Sequence, residues 1–79
     1  VQAGKRDFQK SIANYQKTIT TQEELRILDP ANVMPIRSIA ITQQDLADVY
    51  EKLQQNAQAL EYHQKSVEMF NLLEQKNAL

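Results

Sequence analysis

Helix-breaking residues in this chain are nearly confined to one place. Its two prolines stand at positions 30 and 35, within Asp29-Pro30-Ala31-Asn32-Val33-Met34-Pro35, and its one glycine is Gly4. A residue before proline is pushed out of the α region, and proline itself cannot donate the next helical hydrogen bond, so a helix approaching Asp29 must stop there. Pro35 has the opposite sense. In the first turn of a helix its missing N–H costs nothing, and it marks a start. Elsewhere Gln, Ala, Glu, Lys and Leu are abundant and favour helix, and Gln54-Gln55-Asn56 is a weaker polar break.

Apolar residues recur at helical spacing between these breaks. Phe8, Ile12, Tyr15, Ile19, Gln22 and Leu25 advance in steps of three and four, with only the glutamine out of type. Asp7 is the expected N-cap of this first helix, over 7–28, because its carboxylate can accept an orphan backbone N–H and complements the helix dipole. A second helix from Pro35 carries Ile36, Ile39, Ala40, Leu46, Ala47, Tyr50 and Leu53 on one face. A third, from about Asn56, carries Ala59, Leu60, His63, Ser66, Val67, Phe70 and Leu73. No stretch alternates with period two long enough for a strand. The expected fold is all-α, a single domain over 1–79 of three long helices in antiparallel hairpins, since short loops join antiparallel neighbours.

Charge and composition exclude several functions. Nine basic against ten acidic residues leave a net charge of -1, which argues against a nucleic-acid partner, because that affinity rests on clustered Lys and Arg. The longest apolar runs, such as Ile39-Ala40-Ile41, are too short for a membrane span or a signal-peptide core. Cysteine is absent, so there is no disulfide framework or thiolate metal site, and a cytoplasmic setting is expected. One glycine rules out a glycine-rich phosphate loop. So short a chain also buries too little surface to be comfortably stable without a staple or a neighbour.

An internal repeat adds to this picture. Sliding the chain by about 48 positions lays Ser11-Ile12-Ala13-Asn14-Tyr15-Gln16-Lys17-Thr18-Ile19 over Ala59-Leu60-Glu61-Tyr62-His63-Gln64-Lys65-Ser66-Val67, and Leu25 over Leu73. Leu46-Ala47-Asp48-Val49-Tyr50, followed by Ala59-Leu60-Glu61-Tyr62-His63 and Ser66, resembles the tetratricopeptide repeat. Small residues there let two helices approach while a large ring fills the space beside them. A unit of about 34 residues stretched to about 48 gains roughly two turns per helix. This is similar to the long-helix variety found in kinesin light chains and in large signalling proteins. The resemblance implies one complete elongated repeat over 35–76, preceded by the second helix of an earlier unit at 7–28, with Val1 to Lys5 as the stub of an upstream helix. Gln54 stands where the family usually has glycine.

The resemblance further implies a scaffold that engages a protein or peptide partner through its first-helix face. On the second helix, Arg37, Ile41, Gln44, Asp48 and Lys52 share one face, spaced four, three, four and four. Arg37, Gln44, Asp48 and Lys52 are therefore the candidate partner-binding residues, with plain solvated surface as the alternative. The version of the family that clamps a terminal carboxylate has Lys and Asn where this chain has Gln44 and Asp48, which speaks against that activity. Neighbouring repeats or a second copy are alternative partners, because an isolated repeat leaves apolar faces uncovered. A further alternative is the sensor part of a peptide-responsive regulator.

Catalysis is not expected. His63, the one histidine, falls on the aromatic packing position of the third helix, and neither a nucleophile nor metal ligands stand at a recognisable spacing from it. Asp45 and Asp48, Glu23-Glu24 and Glu51 are read as solvated charge, and Glu61 with Lys65 as an i, i+4 pair. No cofactor is implied.

Overall fold

A computed structural model describes residues 2–77, with side chains described from Asp7 onward. It contains three helices: α1 over Gln2–Leu28, α2 over Met34–Lys52 and α3 over Asn56–Asn77. No strand occurs among the described residues. The fold is all-α, as expected, and elongated, with extents of 48 × 21 × 13 Å.

The two connections use the breaks differently. After α1 the chain turns at Asp29 to Val33. Asn32 donates its N–H to the Asp29 carbonyl at 3.1 Å, and its side-chain Oδ1 accepts the Met34 N–H at 3.0 Å. Val33, the N-cap residue, offers no side-chain acceptor, so Asn32 satisfies a first-turn donor in its place. Pro35 then lies in the first turn of α2.

The second connection is three residues long, Leu53 to Gln55. Gln54 has φ 61°, its N–H meets the Glu51 carbonyl at 2.9 Å, and the Gln55 N–H meets the Tyr50 carbonyl at 2.9 Å. These two bonds around a left-handed residue make a Schellman motif. Glutamine thus occupies a conformation that glycine adopts at no steric cost.

α2 is the centre of the molecule. It packs against both neighbours, whereas no Cα of α1 comes within 8 Å of one in α3 among the described residues. Its buried arc of Ile36, Ile39, Ala40, Thr42, Gln43, Leu46, Ala47 and Val49 forms most of the core, with Ile39, Ala40, Leu46 and Ala47 wholly inaccessible. α3 adds only Ala59 and Ser66 as fully buried residues. The described side chains of α1 are at best half-buried, along the expected line Phe8, Ile12, Tyr15, Ile19 and Gln22, while Leu25, expected to continue it, is exposed.

The α2–α3 hairpin is antiparallel and closely approached. Ser66 Oγ donates to the Ala40 carbonyl at 2.9 Å, and Tyr62 stacks on Tyr50 with ring centroids 5.6 Å apart and planes 10° apart. A serine side chain is short, so reaching the neighbouring backbone requires small residues along this seam. Ala40 and Ala47 provide them.

Several expectations need correction. Asp7 is not an N-cap, because α1 continues through it back to Gln2 and leaves it exposed on a helical turn. Residues 2 to 5 accordingly belong to α1 and not to a separate upstream helix, and Val1 lies outside the described residues. The ring that packs between α2 and α3 is Tyr62, while the His63 side chain is 41% exposed. Leu60 and Val67, expected on the packed face of α3, are also more than half exposed, and Phe70 is exposed as well. The packed line of α3 instead runs Ala59, Tyr62, Ser66, Met69 and Leu73.

Candidate functional site

Packed by α1 and α3, α2 has one arc, about 100° wide, left for solvent. Arg37, Ile41, Gln44, Asp48 and Lys52 all lie on it and are all exposed, extended at the N-terminal end by Met34 and beside Asp48 by Glu51. The helical repeat places these side chains in one row, because steps of three and four residues return to the same side. The four candidate residues Arg37, Gln44, Asp48 and Lys52 are thus brought onto one accessible row.

The row is chemically uneven. At its N-terminal end Met34, Arg37, Ser38, Ile41 and Thr42 line a shallow depression, in which Met34 is 60% and Ile41 42% exposed. Toward the C-terminal end Gln44, Asp48, Glu51 and Lys52 are polar. An apolar step beside a guanidinium, followed by mixed charge, suits a partner segment that is apolar at one end and charged at the other.

Sequence spacing alone did not reveal what His63 touches. The α2–α3 register carries it to the polar end of the row, where its Nε2 lies 2.7 Å from Glu51 Oε1. Asp48 stands one turn away on the same helix, and one ligand atom from each of Asp48, Glu51 and His63 lies within 4.8 Å of the others. The only advance signal was the i, i+3 spacing of Asp48 and Glu51; their pairing with His63 is tertiary.

Several of the remaining charged groups pair with neighbours on their own helix. Glu23 pairs with Arg26 at 3.1 Å, and Glu61 with Lys65 at 3.3 Å, as their spacing implies. Lys65 also lies 5.0 Å from the Tyr62 ring centroid, an exposed cation–π contact. Asp45 is half-buried and Asp48 exposed. Burial raises the Tyr50 phenol above its ordinary value, with smaller contributions from Tyr62 and Glu61. The Ser66 hydroxyl, the buried one in α3, is committed to the Ala40 carbonyl.

No helix among the described residues is long and apolar enough to cross a membrane. Comparison with protein-family models, curated proteins and solved structures finds no match to this chain.

Proposed function

We propose that this chain is a non-catalytic protein-interaction module, a tetratricopeptide-like helical scaffold whose α2 row receives an extended peptide or a helix of a partner protein. The observation that carries this reading is the confinement of α2's exposure to one row, in which Arg37, Ile41, Gln44, Asp48 and Lys52 follow one another while most of the rest of the helix forms the core. A helix held on both sides presents its remaining side chains with little freedom to rearrange, and such preorganisation favours binding. The small residues at Ala47, Ala59 and Ser66, all buried, fit the repeat-like packing.

The test is selection of peptide ligands on the chain, followed by combined reversal of two charges, Asp48→Lys with Lys52→Asp. Capture should weaken at least about tenfold, the equivalent of one lost interaction of about 1.4 kcal/mol. Helicity and melting should stay nearly unchanged, because both positions are exposed. Unchanged capture, or equal loss of folding and binding, would count against the row as the contact surface.

A second reading has its own support. The internal repeat places Ile12 over Leu60, Tyr15 over His63 and Ile19 over Val67. The first of each pair is half-buried on α1; Leu60 and Val67 are 59% and 58% exposed on α3, beside exposed Phe70. The face that α1 uses for packing is therefore uncovered on α3. Self-association through it would appear in sedimentation as a dimer abolished by Val67→Glu, whereas a monomer at all concentrations favours the α2 row.

A further inference from the structure

We propose that Asp48, Glu51 and His63 bind a divalent transition-metal ion, such as Zn²⁺, that staples α2 to α3. This inference does not rest on the partner-binding reading, although Asp48 belongs to both. The three side chains come from two helices, and one ligand atom from each lies within 4.8 Å of the other two. Around a tetrahedral zinc, with bonds of about 2.0–2.1 Å, neighbouring ligand atoms are roughly 3.3 Å apart. The widest present spacing exceeds that, and the side chains, exposed at Asp48 and Glu51 and partly so at His63, must turn inward to close on the ion.

The donor set selects the ion. Two carboxylates and one imidazole suit Zn²⁺, Co²⁺ or Ni²⁺, whereas Mg²⁺ and Ca²⁺ are held by oxygen alone and gain little from His63. Charge favours uptake as well. Asp48 and Glu51 bring two negative charges to one turn of α2, and Asp48 makes no ion pair among the described residues. Exposure of the cluster leaves room for water to complete the coordination.

What gives the cluster its geometry is the hairpin. The Schellman motif at Gln54 and the Ser66 contact to the Ala40 carbonyl set the register of α3 on α2, so His63 reaches Glu51 as a consequence of backbone packing. An ion bound there would bridge the chain across the Leu53–Gln55 turn, adding a link to a small fold that has no disulfide.

The experiment uses the full chain, freed of any affinity tag and treated with a chelator. Co²⁺ is titrated with visible absorption and proton NMR as readouts, and Zn²⁺ by calorimetry. One ion per chain should bind, with the resonances of the single imidazole shifted by Co²⁺ and with melting raised by Zn²⁺ but not by Mg²⁺. His63→Gln should weaken Zn²⁺ affinity at least about tenfold, and Asp48→Asn should weaken it too, with helicity retained in both. Absence of a Co²⁺ spectrum, or wild-type affinity in either variant, would overturn the site. Binding that survives both substitutions would identify an ion held by scattered surface carboxylates, which is also a refutation.

Discussion

Replacing Ser66 with leucine tests the close approach of α2 and α3 most directly. Ser66 is 4% exposed and its Oγ sits 2.9 Å from the Ala40 carbonyl oxygen, beside a backbone with no accessible surface at Ala40. A carbon in place of that oxygen needs a separation of about 3.3–3.6 Å, and leucine adds two methyl groups beyond it. The helices must part or the side chain must leave its rotamer well, at about 1–3 kcal/mol. Loss of the hydrogen bond adds about 0.5–1.5 kcal/mol. Together these place Ser66→Leu near 2–4 kcal/mol, against a total stability of about 4–12 kcal/mol for a chain of this size.

Ser66→Ala provides the comparison. It removes only the hydroxyl, and the Ala40 carbonyl keeps its own helical partner, so the cost should be about 0.5–1.5 kcal/mol. Urea denaturation followed by far-UV circular dichroism measures both. In thermal melts, about 4–8 °C per kcal/mol for a domain of this length makes the leucine variant melt roughly 8–30 °C lower. If Ser66→Leu costs no more than Ser66→Ala, there is space at that seam and the reasoning fails. Ala59→Leu, at 3% exposure, should likewise cost about 1–3 kcal/mol.

Two further outcomes follow from local geometry. Gln54→Gly should stabilise the hairpin by about 0.5–1 kcal/mol, because the left-handed strain at φ 61° exceeds the extra entropy glycine loses on folding; denaturant midpoints check this, and a destabilised variant would refute it. Tyr50, whose phenol burial holds above its ordinary value, keeps its proton after the unfolded chain has lost its own. The unfolded state then binds fewer protons, so the stability that Tyr50 contributes is complete below about pH 10 and declines as pH rises toward the folded value. Phenolate absorbance, read as the difference between the wild-type chain and Tyr50→Phe, should show the Tyr50 ring titrating above its ordinary value, and titration at the ordinary value would contradict it.

Much of the fold was legible because breakers are scarce and well placed. Asp29-Pro30 and Pro35 locate the first connection to within a residue or two, and α2's apolar arc and polar row separate cleanly. The N-terminal boundary was not legible from Gly4 and Asp7, since a glycine inside a helix costs only about 1 kcal/mol and an aspartate less. α3 is harder for another reason. Tyr62 and His63 stand about 100° apart on the helix and both lie near its apolar side, so periodicity does not decide which one packs. Stacking against Tyr50 places Tyr62 inside and turns His63 toward Asp48 and Glu51. The meeting of Asp48, Glu51 and His63 depends on that choice and on the hairpin register, neither of which is a property of local sequence.

The separation of α1 from α3 divides the molecule into parts of unequal tenacity. α2 and α3 share the fully buried seam and a three-residue turn, whereas the described side chains of α1 are at most half-buried on α2. Local opening follows such differences in burial. α1 is therefore the element that detaches first, and its departure uncovers one flank of the core while the α2–α3 hairpin persists. Amide exchange in this chain has a built-in order, with the longest helix the least protected.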